Sequence, residues 1–316
     1  MALLGIDIGG TKVASAIISE GGDILSKETL KLDNRIGNEA GRLVTDQVKT
    51  FLEKGITDRK INSIGISVPG ISYKGTGVVW APNIPGWEEY PLLEEVKSVT
   101  GPIPVTIDSD RACYILGELW QGNARGCKNA VFLATGTGIG AGILINGEVL
   151  RGSNDIAGAI GWMALNKPFE NKYAGCGCFE YYASGEGLVR VARELLSEER
   201  DYSGELKNKQ NDNISTFDLF SAFENGDSIA KKVMSIAIEF WGMAVANLVS
   251  LFNPERIILG GGIFGPAIRF IPAIKKEAEK WAQPISIKKV EIMSSGLGGN
   301  AGIYGAGYLA LTNKNN

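Results

Sequence analysis

Two uninterrupted apolar runs, residues 3–6 and 130–134, have the length of buried strands and are too short for helices. The first enters Asp7-Ile-Gly-Gly-Thr-Lys12 and the second enters Thr135-Gly-Thr-Gly-Ile-Gly-Ala-Gly142. Each glycine-rich turn leads into a further strand-like run, 13–18 and 142–145, so each predicts a β-hairpin. A third strand follows at 23–30. Helical spacing then sets in over 38–51, with Leu43, Val44, Val48 and Phe51 as the inner face. A buried strand at 62–68 ends at Pro69-Gly70, and 73–91 reads as an irregular loop rich in Gly, Pro and Trp. A short helix (92–98), a strand (103–107) and a helix running to Trp120 complete this half, with Ser109 or Asp108 suited to the N-cap.

From Ala130 the pattern restarts: strand, glycine turn, strand, and a short strand at 149–150. Residues 152–178 read as irregular, 180–197 as one helix and 198–213 as an exposed polar stretch. Helices are predicted at 216–223 and 228–252, the second apolar enough to be largely buried. A strand at 256–259 ends in Gly260-Gly261-Gly262. A helix (267–281), a strand (288–293) and an Ala/Gly-rich helix (301–311) follow. The chain is therefore an α/β protein of two similarly built halves, and the cleft between two such halves is the default ligand site.

The glycines permit positive φ and close backbone approach, so successive N–H groups can form an anion-binding nest. One such turn alone is equally an ordinary tight hairpin. Two, each behind a strand, could grip a polyphosphate from both sides. Neither turn is a standard nucleotide motif. Gly136-Thr-Gly138-Ile-Gly-Ala141 has dinucleotide-type spacing but leads into a strand, where that motif needs a helix. Gly5 to Lys12 has P-loop spacing but ends Thr-Lys.

Composition narrows the chemistry. The chain has 316 residues, a net charge of −3 and a pI near 5.4, which gives no reason to expect nucleic acid or an anionic membrane as partner. No uninterrupted apolar run approaches the roughly 18 residues of a bilayer span, and nothing near residue 1 resembles a targeting segment, so a cytoplasmic location is expected. Cys113, Cys127, Cys176 and Cys178 do not read as a disulfide framework. Histidine is absent, which excludes a Ser-His-Asp triad, a Cys-His dyad and any His base or metal ligand. Chemistry must rest on carboxylates, Lys, hydroxyls and backbone.

Six segments occur in order: Asp7 to Lys12, Pro69-Gly70, Ala81-Pro-Asn-Ile-Pro-Gly-Trp87, Asp110 with Leu116-Gly-Glu118, Gly136 to Gly140, and Leu259 to Gly262. Together they resemble the ROK family of sugar kinases and sugar-responsive repressors, over about residues 3–311. The resemblance implies a two-lobed actin/hexokinase-like (ribonuclease H-like) fold of duplicated domains. Residues 1–120 with a C-terminal helix at 300–316 would form one lobe and 121–299 the other. It also implies ATP with Mg²⁺ and transfer to a hexose or related sugar. Asp110 is the expected general base, since a carboxylate in hydrogen-bond reach can orient a sugar hydroxyl and accept its proton. A helix cap is the alternative role. Asp7 is expected to hold Mg²⁺ through water. Gly9, Gly10, Thr11, Lys12, Thr135, Gly136, Thr137 and Gly138 would bind phosphates, and Gly260, Gly261 and Gly262 would lie under the adenosine. Asn83, Ser109, Asp110, Glu180 and Trp162 are the sugar-side candidates, with a capping role open for Glu180.

The chain departs from the family in three places. The family's Gly-Glu-Ile-Gly-His is Gly158-Ala159-Ile160-Gly161-Trp162 here, which removes a sugar-binding carboxylate and an imidazole that is also a zinc ligand. Only Cys178 aligns with a family zinc ligand, so no structural zinc is expected. Ser109 stands where the family has Asn. The indole of Trp162 offers a stacking face and one N–H donor, or simply fills space. Plain glucokinase specificity is therefore not expected; a hexose derivative, amino sugar, epimer, ketose or cyclitol is as plausible as glucose. A family member that binds sugar without turnover is the alternative. A repressor is disfavoured, because six residues precede Asp7 and a helix-turn-helix segment needs more. A homodimer or homotetramer is expected by resemblance.

Overall fold

The structure is a computed structural model that describes residues 2–55, 60–199, 201–209 and 213–313. Residues 200 and 210–212 of the expected polar stretch, and the last three of the expected C-terminal helix, lie outside the described residues. The chain divides into two compact units. One comprises Met1–Cys127, Gly142–Ala157 and Ser295–Asn316; the other comprises Lys128–Ala141 and Gly158–Ser294. Residues 142–157 thus belong to the first unit although they fall within 121–299.

The first sheet holds β1 (Ala2–Ile8), β2 (Lys12–Ser19), β3 (Ile24–Lys31), β4 (Ile61–Val68) and β7 (Val105–Ser109) in the order β3-β2-β1-β4-β7. β1 to β3 form an antiparallel meander, and β1, β4 and β7 run parallel. Strand alternation decides what each face carries. Leu4, Ile6 and Ile8 of β1, with Ile64, Ile66 and Val68 of β4, join the core with α1 (Gly37–Lys54) and α2 (Leu92–Thr100). The opposite face carries Leu3, Gly5 and Asp7, then Ser63, Gly65 and Ser67, and it receives α9 (Ala301–Asn313). The helix comes so close that a Cβ on Gly65 would lie 1.9 Å from the Ala306 carbonyl oxygen. Beside α9 packs α3 (Asp110–Gln121), again through glycine: a Cβ on Gly305 would lie 1.9 Å from the Cys113 carbonyl oxygen.

The second sheet holds β8 (Ala130–Thr135), β9 (Ile139–Ile145), β10 (Glu148–Val149), β11 (Arg256–Gly260) and β12 (Glu291–Ser294) in the order β10-β9-β8-β11-β12. Each sheet thus reads third, second, first, fourth, fifth strand, and this repeat is the internal duplication expected from the sequence.

Several elements differ from expectation for local reasons. The loop at 73–91 contains a small hairpin, β5 (Ile71–Tyr73) with β6 (Val78–Trp80), and is pinned by Trp87. The Trp87 ring is fully buried, stacks on Tyr90 at 4.6 Å and donates through Nε1 to the Gly37 carbonyl at 3.0 Å. The helix expected over 180–197 is two, α4 (Cys178–Ala183) and α5 (Gly185–Glu198). Ser184 between them is extended, and its Oγ accepts from Gly187 N, so one residue ends one helix and caps the next. The helix expected at 267–281 is a 3-10 segment (Pro266–Phe270) followed by α8 (Ile271–Ala278), with Pro272 in the first turn of α8.

Between α5 and α8 lie α6 (Thr216–Glu224) and α7 (Ser228–Phe252). By length and composition α7 could cross a membrane. That corrects the expectation from uninterrupted apolar runs, which charged residues such as Glu239 break up. Half of its most apolar stretch is buried within the chain: Phe240 stacks on Tyr182 of α4, and the buried Trp241 donates to the Ala183 carbonyl at 3.0 Å.

Candidate active site

In the first unit, the turn between β1 and β2 is closed by Gly9 N donating to the Lys12 carbonyl at 2.8 Å, and Gly10, Thr11 and Lys12 are exposed. The loop carrying Asn83 lies against it, since a Cβ on Gly10 would sit 3.3 Å from Asn83 Cβ. Asp7, at the end of β1, accepts from Ser67 Oγ at 2.7 Å through Oδ1. Burial raises its pKa, against the Ser67 hydrogen bond and the Lys12 and Lys27 charges.

Asp110 opens α3 behind the cap Ser109, whose Oγ accepts from Ala112 N at 3.3 Å. The Ser109 hydroxyl is thus engaged in capping. Asp110 Oδ1 accepts from Arg111 N at 2.7 Å, and the Tyr114 hydroxyl approaches Oδ2 at 3.5 Å, one helical turn on. Burial pushes the Asp110 pKa up to about 6; the Arg111 charge opposes this and the neighbouring Asp7 adds to it. The Arg111 side chain ties this end of α3 to the Gly70 carbonyl at 3.2 Å. Below it, Asp108 is buried and held by both terminal nitrogens of Arg151.

In the second unit, Thr135 ends β8 fully buried, and its Oγ1 has no hydrogen-bond partner among the described residues. The turn that follows is braced from behind. Gly136 N donates to the Gly138 carbonyl at 2.9 Å, and the Gly136 carbonyl accepts from Gly185 N at 2.8 Å. Glu180 also braces it: its Oε2 accepts from Ile139 N at 2.6 Å and would lie 2.7 Å from a Cβ on Gly138. Glu180 is therefore more than a helix-start residue, and burial raises its pKa. Gly261 has φ +88 and stands on the Thr135 backbone, whereas nothing lies within 4 Å of a Cβ on Gly262. Trp162 is 60% exposed.

The nest expectation needs correction. None of Gly9, Gly10, Gly136 and Gly138 takes a left-handed φ. Gly10 and Gly138 serve close approach, to Asn83 and Glu180.

Tyr173 clusters with Tyr181 and Tyr182 of α4. Tyr173 is buried, and its hydroxyl meets Tyr182 Oη at 2.9 Å and donates to Glu170 at 2.8 Å. The Lys172 ammonium lies 5.3–5.6 Å from the rings of Tyr173, Tyr181 and Tyr182. Among the described residues, no three His, Cys, Asp or Glu side chains gather to hold a metal. The expected result is a melting temperature unchanged by EDTA, while Tyr173→Ala costs about 3 kcal/mol or more in denaturant unfolding. A large fall in Tm with chelator would contradict this.

Ser67, Arg111, Tyr114 and Arg151 join the site without being expected from the sequence. Two carried a signal. Tyr114 stands four residues after Asp110, hence on the same helix face. Ser67 alternates with Gly65 on the face opposite Ile64 and Ile66.

Two sheets of one strand order, the first strand of each running into a glycine turn, define the actin/hexokinase-like fold. The chain belongs to the ROK family, whose model matches residues 3–313. It is 32% identical to a glucokinase of Halalkalibacterium halodurans, over 99% of this chain and 96% of that protein. It is also 32% identical to a xylose repressor of Caldicellulosiruptor bescii, over 82% of this chain and 65% of the repressor. A ROK family glucokinase from Streptomyces griseus in complex with glucose and AMPPNP superposes with a TM-score of 0.80 at 27% identity, covering 99% of this chain and 100% of that one.

Proposed function

We propose that this protein is an ATP-dependent carbohydrate kinase that phosphorylates a hydroxyl of a hexose or related sugar. The observation that carries the reading is Asp110. It is a partly buried carboxylate at a helix N-terminus, with a pKa pushed up to about 6, in the same unit as the Asp7 turn. A base poised near neutrality can orient a sugar hydroxyl and accept its proton as the oxygen attacks phosphorus. The likeness to a glucokinase along nearly the whole chain supports the same reaction class.

Asp7 fits a hydrated Mg²⁺. Its Oδ1 is held by Ser67, Oδ2 accepts no hydrogen bond among the described residues, and burial disfavours its charge. When bound, Mg²⁺ neutralises phosphate charge. The turns at Gly9 to Lys12 and Thr135 to Gly138 are the proposed phosphate contacts and Gly260 to Gly262 the proposed adenosine segment, where Gly262 faces open space while Gly260 and Gly261 make room for Phe132 and the Thr135 backbone. Asn83, Glu180, Ser109 and Trp162 are the proposed sugar contacts. Exposed Trp162 gives a stacking face where the family has imidazole, which favours a sugar other than plain glucose, such as an amino sugar, epimer, ketose or cyclitol. A homodimer or homotetramer is proposed for the assembly.

A panel of such sugars with Mg-ATP, read by ADP release, tests the reading. At least one should turn over at a rate well above the sugar-free ATPase. Calorimetric sugar binding without ADP release from any of them would favour the second reading, a family member that binds without turnover. Ala159 and Trp162 motivate that alternative.

A further inference from the structure

We infer that Ser67 is a positioning residue for the Asp7 carboxylate, clamping it against Gly302 so that its second oxygen meets a hydrated divalent cation. The inference rests on the magnesium reading of Asp7 and adds the part of the fold that aims it. β1 and β4 pair in parallel with Asp7 opposite Ser67, so both side chains emerge on the face that receives α9. Ser67 is fully buried, and its hydroxyl donates to Oδ1 at 2.7 Å. The buried Cys113 thiol of α3 lies beside the same hydroxyl. From the other side comes the first turn of α9. A Cβ on Gly302 would lie 2.4 Å from the Asp7 carboxyl carbon and Oδ2, and 2.5 Å from Oδ1. Only glycine leaves the carboxylate where it stands.

An outer-sphere ligand must offer an oxygen to a metal-bound water at one place. A carboxylate free to turn about its last bond would offer it only part of the time. A hydrogen bond on one oxygen and a backbone wall behind the group remove that freedom. Partners that orient metal ligands in this way typically change metal affinity by about 10–100-fold when removed.

The test is Mn²⁺ binding, followed by electron paramagnetic resonance in the presence of a non-hydrolysable ATP analogue, on the full chain. Ser67→Ala and Gly302→Ala should each raise the Mn²⁺ dissociation constant about tenfold or more. Ser67→Thr, which keeps the hydroxyl, should recover much of the loss. Neither change should weaken binding further in an Asp7→Asn background, because the effect runs through that carboxylate. Thermal unfolding of each variant separates a folding defect from misaimed ligation. Unchanged Mn²⁺ affinity in Ser67→Ala, or an equal loss with and without Asp7, would overturn the inference while leaving Asp7 as a ligand. Wild-type affinity in Asp7→Asn would overturn the magnesium reading and this inference together.

Discussion

Asp110→Asn is expected to lower turnover by 10²-fold or more, on the order of what a positioned general base contributes. It should do so without weakening the fold. The amide is close in shape and can still accept from Arg111 N, so α3 keeps its first turn. The pH dependence follows from the same carboxylate. Its folded pKa of about 6 lies above the ordinary 3.8. The active form is the ionised one, so kcat/KM should be flat above pH 6 and fall about tenfold per pH unit well below it. For stability the sign is opposite. Between pH 4 and 6 the folded chain holds a proton on Asp110 that the unfolded chain has released, so the contribution of this group to stability declines as pH rises through that window. Above pH 6 the buried charge costs on the order of 1–3 kcal/mol. Asp110→Asn removes that cost, and its melting temperature at pH 7 should equal or exceed that of the parent. An inactive variant that also melts lower would mark Asp110 as a structural cap. A fully active variant would remove it from the chemistry altogether.

What could be read from the sequence was local. The hairpins, the helix opening at Asp110 and the glycine run after β11 each follow from neighbours in the chain, and the strand pattern of both halves pointed to the repeated sheet. What could not be read depends on partners far along the chain. Ser67 reaches Asp7 across 60 residues because β4 pairs beside β1 in one register. Nothing in Gly-Ile-Ser-Val announces that pairing. Glu180 looked like a helix-start residue, yet its carboxylate braces Ile139, 41 residues away. The break at Ser184 was hidden because an apolar helical period runs through it, while the deciding interactions are a side-chain cap and the Gly185 contact with Gly136. The glycine turns show a subtler limit. Sequence could say that small residues were wanted, but not that space, more than a left-handed backbone, was the reason at Gly10 and Gly138.

Gly261 is the converse case, where backbone and space act together, and Gly261→Ala should be among the most damaging single changes in the second unit. Its φ of 88 and ψ of 173 lie in a region that is essentially glycine's alone, which costs about 1–3 kcal/mol for a residue with a Cβ. The added carbon would also lie 2.4 Å from the Thr135 carbonyl oxygen. That atom belongs to β8, which is paired to β11, so it cannot yield without moving a central strand; overpacking of this kind costs about 1–3 kcal/mol more. The sum predicts a loss of about 2–6 kcal/mol, and a fall in melting temperature of several degrees to about 15 °C. Function should suffer separately, because any relief pushes on Thr135 and hence on the turn from Gly136 to Gly138. Gly262→Ala is the control. Nothing lies within 4 Å of its added carbon, so stability should change by no more than about 0.5 kcal/mol. If the adenosine lies over this segment, that methyl group should nevertheless raise the KM for ATP while leaving the KM for sugar unchanged. Equal melting curves for Gly261→Ala and Gly262→Ala would refute the packing argument. An unaltered KM for ATP in Gly262→Ala would move the nucleotide elsewhere.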